Sequence, residues 1–420
     1  MRRLKPFYCL FIIALLATMP FVSKAAEIMV PPGTDTLADA VAGAANGDTL
    51  ILQDGAYFGD VLVNKSLTIR PQYRSTQAVV VDTMTIDGVG IEVTVQGLEF
   101  REDMILNEAD AIRILENHWT ANGINALNYT ESQGVGSLVI VGNHLGLGSI
   151  NSGVSTDNAY IAGNVLLDGR IAHNNGTAWI VGNSVRKQSS GVAIGSGSNA
   201  VSTRIIGNRL SCERTTICIS LRSGSALIFN NIIEVGDAGG SPNRVIQLGL
   251  FSSDTGFAEI RNNIIRCKAH NHSFIRTNQH FDYASFYEVR AHGNIITDNC
   301  ENNHDHDAIV QFTHNLCSGD AICPNTDGNL NADPQFIDLT DYRLAPTSPA
   351  IDAGPPDFGL ADLDRTRNDI GVYGGPWSID QYDVQRDPQS LAPYVYPLFM
   401  GGIVSGGELE LRAIGVARFR

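Results

Sequence analysis

Charge is scarce in this 420-residue chain. Only 17% of the residues are Asp, Glu, Lys or Arg, against the usual quarter, which argues against disorder, coiled coils and long helical bundles. Cationic residues are the rarer kind: 29 Lys and Arg stand against 44 Asp and Glu, for a formal net charge of −15. Without a broad basic footprint, neither nucleic acid nor an anionic membrane is an expected partner. Beyond the first 25 residues no stretch reaches the ~18 uninterrupted apolar residues of a membrane-spanning helix, so none is expected. No Gly-rich phosphate loop, G-x-S-x-G elbow, H-E-x-x-H helix or paired C-x-x-C occurs. What the chain does have is turn formers, 42 Gly and 16 Pro in a sequence that is 43% hydrophobic. That balance suits many short strands joined by many turns.

Residues 1–25 read as a secretory signal. Arg2, Arg3 and Lys5 precede an apolar run from Leu10 to Met19, and Ser23 and Ala25 place small residues at −3 and −1 of a cleavage site. The expected mature protein is secreted to the periplasm, medium or cell surface, and monomeric. Loss of the four cations in this segment takes its charge to −19. Six cysteines remain: Cys212, Cys218, Cys267, Cys300, Cys317 and Cys323. An even number in an exported chain implies disulfides. Short spacings predict Cys212–Cys218 and Cys317–Cys323. Cys267 and Cys300 follow successive repeats and are expected to meet across adjacent ones.

Self-similarity is the strongest signal. Asn117, Asn143, Asn164, Asn183, Asn208, Asn231, Asn263, Asn294 and Asn315 recur at intervals of 19 to 32 residues. Such irregular intervals fit stacked coils with variable loops on a constant strand. Three residues before each Asn stand Ile114, Ile140, Ile161, Ile180, Ile205, Ile228 and Ile260, then Ala291 and Phe312. The columns five before and two after are equally apolar, so positions −5, −3 and +2 point inward, with a corner at the Asn. The residue before the Asn is often Gly, which eases a corner. The Asn side chains are placed to form an internal ladder. The fold expected is an all-β parallel solenoid.

These residues resemble the right-handed parallel β-helix proteins of the pectate-lyase-like superfamily. The N-terminal start is similar, with a short amphipathic helix from Leu37 to Ala45 placed to plug the open end of the core. The C-terminal stretch Asp333–Ile337, Asp341–Gly354 and Asp369–Gly374 is similar to a closing module common on secreted bacterial members. The organisation expected is a signal at 1–25, cap and first coils at 26–105, repeats at 106–325, closing module at 326–375 and an extended tail at 376–420. What the resemblance implies is a polysaccharide partner, with lyase- or hydrolase-like chemistry if the protein is an enzyme. No lyase motif matches residue by residue, and a fold does not imply a function. The alternative is a non-catalytic scaffold or adhesive protein.

Chemistry is expected on the outward columns. In the middle coils these are apolar and aromatic around Tyr160 and Trp179, which serve either to stack on sugar or as the seat of a covering segment; large exposed apolar patches are unusual, and the cover is favoured. In later coils the columns become Glu259, Arg261, Arg290 and His292. Lys268, His270, His272, Arg276, His280 and Asp282 lie between the two rungs, and seven of the ten histidines fall between residues 270 and 314. Arginine and histidine can neutralise a uronate and take its C5 proton, so Arg290, His292, Arg261 and Glu259 are the candidate catalytic set. Lys268, His272, Arg276, Tyr160 and Trp179 are the candidate substrate contacts. Ion pairs on a solvated sheet are the competing reading. No cofactor is required by the sequence. Asp362, Asp364 and Asp369 offer oxygen ligands for Ca²⁺, and His304, Asp305, His306 and Asp307, with His314 near, offer ligands for a transition metal.

Overall fold

A computed structural model describes residues 25–120, 124–125, 134–153, 156–214, 217–236, 243–249, 256–277, 287–301, 310–382, 394–400 and 411–416. Three parallel sheets wrap around one core. Sheet A runs from Glu27–Val30 through strands such as Asn158–Ala162 and Gly256–Arg261 to Val310–Thr313, and from Met104–Leu115 onward its members lead into the corner asparagine. Sheet B follows the corner, from Gly33–Thr34 through His118–Trp119 and Ile232–Val235 to Leu330–Asn331. Sheet C, including Val61–Val63, Ile217–Leu221 and Asn243–Leu248, closes each coil. The fold is all-β and solenoidal, as the repeat predicts.

The register matches the aligned columns. Ile140 pairs with Ile161, Ile161 with Ile180, Ile180 with Ile205, Ile205 with Ile228 and Ile228 with Ile260, each 0% exposed. Each such side chain contributes about 1.5–3 kcal/mol through burial. The corner asparagines satisfy one another. Asn208 Nδ2 donates to Asn231 Oδ1 at 2.9 Å and to the Ile180 carbonyl at 2.8 Å, while its own Oδ1 accepts from the backbone N–H and Nδ2 of Asn183. The same set recurs from Asn117 onward and runs one coil past Asn315, to Asn329. The residue before each ladder Asn has positive φ, whether it is Gly207 at 64°, Asn230 at 52° or His314 at 52°.

At the N-terminal end the helix α1, Thr36–Gly43, lays Leu37 and Val41 over the core. Lys65 of a neighbouring coil donates to the carbonyls of Val41, Ala42 and Ala44, satisfying the C-terminal helix acceptors that no intrahelical N–H can reach. All three expected disulfides form, with Cα separations of 5.8 Å for Cys212–Cys218, 5.0 Å for Cys267–Cys300 and 5.5 Å for Cys317–Cys323. Among the described residues no helix is long and apolar enough to cross a membrane.

The C-terminal residues lie against the outside of the barrel in two places. Tyr342, Ala350, Ile370, Val372 and Ile379 bury an outward row of sheet B, Ile232, Ile264, Ile295 and Leu316. Asn262 Nδ2 donates to the Asn368 side chain and the Asp369 carbonyl, and Asn230 Nδ2 to the carbonyls of Val372 and Gly374, so two corner residues clamp this module. Trp377, Tyr382 and Tyr396 pack on the apolar stripe of sheet A. Gly207 is needed there, because a Cβ at that position would stand 2.4 Å from the Tyr382 ring. Tyr396 belongs to Tyr394–Met400, which pairs antiparallel with Leu411–Val416.

Candidate functional site

Among the described residues, three outward faces could carry chemistry. On the middle coils of sheet A, Tyr160 stacks on Trp179 with ring centroids 4.7 Å apart, and the Arg204 guanidinium sits 4.8 Å from the Trp179 ring. Trp179 is 4% exposed beneath the C-terminal cover. Its coil neighbours occupy the ring, and the expectation of a sugar-stacking Trp179 gives way to the covered stripe.

On the later coils of sheet A, the register sets Glu259 beside Arg290 and Arg261 beside His292, as aligned. Arg261 is buried, its guanidinium 4.1 Å from the Phe229 ring centroid and 3.2 Å from Glu259 Oε1. Burial pulls Arg261 below the usual arginine range, against the charges of Glu259 and Asp357. His292 Nε2 lies 3.4 Å from the same carboxylate. Burial opposes ionisation of Glu259, but the His292 imidazole and the Arg261 and Arg290 guanidiniums outweigh it and hold the carboxyl below the ordinary glutamate value. Arg290 is exposed and donates to Glu288 Oε1 at 2.9 and 2.7 Å. Each arginine of the patch is therefore committed to its own carboxylate, and the patch is not a reservoir of unspent positive charge.

The remaining sequence candidates scatter. Lys268 is on sheet B, paired with Glu234 at 3.1 Å. Arg276 is on sheet C, beside Gln247. His272 is not a surface residue: it is 0% exposed, with Nε2 2.9 Å from the Gly236 carbonyl, because the register shifts between Cys267 and His272 and turns it inward. Asp362, Asp364 and Asp369 do not converge as a cation site. Asp362 accepts the backbone N–H groups of Asp369 and Gly375, Asp364 those of the Thr366 backbone and hydroxyl, and Asp369 that of Asp352. Among the described residues no group of three His, Cys, Asp or Glu gathers to hold a metal ion. His280, Asp282 and the His304–Asp307 motif lie outside the described residues, as does the side chain of His270.

The third face was not anticipated. A groove of about 900 Å³ lies between sheet B and the closing module, lined by Arg266, Thr297, Asp298 and Ser318 on the barrel and by Asp333 and Phe336 on the module. Glu234, Arg266 and Thr297 occupy successive coils in register. Arg266 Nε donates to Asp298 Oδ2 at 2.6 Å, and Arg266 Nη1 is 3.6 Å from Glu234 Oε1. The Tyr342 hydroxyl donates to Glu234, joining the module to the network. Burial opposes ionisation of Glu234, but Tyr342, Lys268 and Arg266 hold it ionised below the usual range. The Thr297 and Ser318 hydroxyls are 2.8 Å apart. A further wall, Gly319 to Ile322, belongs to a loop closed by the Cys317–Cys323 disulfide. Gly319, with φ of 71°, lets that loop nest on Asp298, whose carbonyl would be 2.6 Å from any Cβ there.

No protein-family model matches this sequence, and no curated protein does. Among solved structures, the crystal structure of pectate lyase Pel9A is similar at 12% identity and a TM-score of 0.37, over 84% of this chain and 96% of that one.

Proposed function

We propose that this chain is an exported β-helix protein that binds a polysaccharide in the groove between sheet B and the closing module. The observation that carries the reading is the groove itself. Its volume falls in the range of small-molecule sites, ~300–1,000 Å³, and it sets hydroxyl, amide and carboxylate groups against apolar walls. Its barrel side is a hydrogen-bonded sheet and a further wall a disulfide-closed loop, so little ordering has to accompany binding. The three disulfides support an oxidising compartment, in keeping with the signal-like first 25 residues.

Cleavage is the second reading, and the contact of the ionised Glu259 with His292 favours it. A carboxylate 3.4 Å from an imidazole nitrogen is an arrangement from which a general base can be built. Against it, Arg261 and Arg290 are already paired. The deciding experiment incubates the purified protein with a panel of soluble polysaccharides. It follows retention on affinity gels, absorbance of unsaturated uronates and release of reducing ends. Retention without either product supports binding. Product formation that His292→Ala abolishes moves the function to the patch, and no retention and no product on any polymer overturns both readings.

A further inference from the structure

We infer that the groove selects neutral polysaccharides and rejects polyuronates; the inference rests on the polysaccharide reading above. Around the groove, the cations Arg266 and Lys268 meet the anions Glu234, Asp298 and Asp333. Both cations are consumed internally, Arg266 by Asp298 and Glu234 and Lys268 by Glu234. Asp333 turns its carboxylate to the Gln335 N–H and leaves the local balance acidic. A uronate carboxylate entering here would lose water, meet no unspent cation among the described residues around the groove and face excess negative charge. The chain's overall −15 adds long-range repulsion.

A neutral sugar meets none of these costs. Asp298 is 37% and Glu234 21% exposed, and carboxylate lone pairs left over from the ion pairs accept hydroxyl protons. Thr297 and Ser318 hydroxyls can each donate or accept. Ile322, which is 71% exposed, with Leu339 and Phe336 on the module side, offers apolar surface to the C–H faces of pyranose rings. Asp298 stands at φ 64°, a conformation that Asp and Asn tolerate better than most residues, and its carboxylate accepts from Arg266 Nε, so the cation lining the groove is already paired.

The test measures affinity of the purified protein for galactomannan and mixed-linkage glucan against polygalacturonate and alginate, at low and high salt. Neutral polymers should be retained with little salt dependence, and acidic ones should not. Tighter retention of the acidic polymers would overturn the inference while leaving the polysaccharide reading in place. Retention of neither class would overturn both. Asp298→Asn keeps a side chain suited to positive φ and removes one of the negative charges that offset Arg266, leaving Glu234 beside it, so acidic polymers should gain about tenfold in affinity, the worth of one hydrogen bond to a charged group. A selective wild type whose Asp298→Asn form folds and gains nothing would show that the internal pairing does not set the selectivity.

Discussion

The middle and late coils of sheet A share one backbone and one register, yet their outward rows differ in kind. Val141, Ala162, Val181, Ile206 and Phe229 present an apolar stripe, and the chain brings Trp377, Tyr382 and Tyr396 back to bury it. Over the next two coils the same position holds Arg261 and then His292, which meet Glu259 from a neighbouring position. An apolar row recruits a cover because water is a poor partner for it, whereas an ionic row satisfies itself by cross-strand pairing. The boundary falls at Phe229, whose ring carries the Arg261 guanidinium. Sheet B repeats the lesson, with an apolar row under the closing module beside the polar row that lines the groove.

The frame common to both regions should be the most sensitive to change. Asn208→Ala removes the acceptor of two Asn183 donors and the donor to Ile180 and Asn231. Each buried group left unpaired costs about 1–3 kcal/mol, so the loss should exceed ~5 kcal/mol and show as a collapse of the denaturation midpoint. A drop like that of an ordinary surface substitution would mean that the ladder contributes little beyond the sheet hydrogen bonds.

The cover should respond next. Tyr382→Ala opens the space over Gly207 and should cost about 3 kcal/mol, in the lower part of the range for buried aromatics. The barrel should remain folded, so binding of an apolar dye should rise while the β-sheet circular dichroism stays. Equal stability and no dye binding would mean that the stripe does not depend on its cover.

The inward columns were legible in the sequence because they obey a period of two around a fixed Asn, and burial holds that register. The middle stripe was legible for the same reason. The groove was not. It depends on the columns one and three residues after the Asn, where Ile232, Ile264, Ile295 and Leu316 mark a second covered row and Glu234, Arg266, Thr297 and Ser318 mark the open one. Those columns were there to be aligned, but the occupant of the first row is Tyr342 and Ile370, residues whose position no local period gives. The pairing of Arg290 was readable, since Glu288 stands two residues earlier on the same face of one strand. His272 stands among the expected substrate contacts only because it lies in the cation-rich segment between the two polar rungs, and the register shift between Cys267 and His272 turns it inward instead.

Acidity should separate the clamp from the rest of the fold. Burial, with the charges of Asp369 and Asp364, pushes the Asp362 carboxyl up to about 6 against its two backbone donors. A carboxyl whose folded value is raised takes up protons on folding, so its contribution to stability is greatest below its unfolded value of 3.8 and is lost as pH rises through about 6. Unfolding followed across that window should show Asp362→Asn with a smaller loss of stability on raising pH than the wild type. Parallel profiles would place the proton elsewhere.

The exposed ion pairs of the late coils should matter least to stability, and this makes them the cleanest probe of where function sits. Arg290 and Glu288 are both nearly half exposed, and such pairs contribute about 0–1 kcal/mol. Arg290→Ala should therefore leave the thermal midpoint almost unmoved, so any functional change it causes cannot be blamed on unfolding. If the groove binds the polysaccharide, retention by Arg290→Ala should equal that of the wild type, while Phe336→Ala on the groove wall should lose most of it. The opposite pattern, with Arg290→Ala losing retention or about 10²–10³ in turnover and Phe336→Ala neutral, would move the site to the Glu259–His292 patch. The two substitutions lie on different sheets, so neither result can be produced by the other site failing.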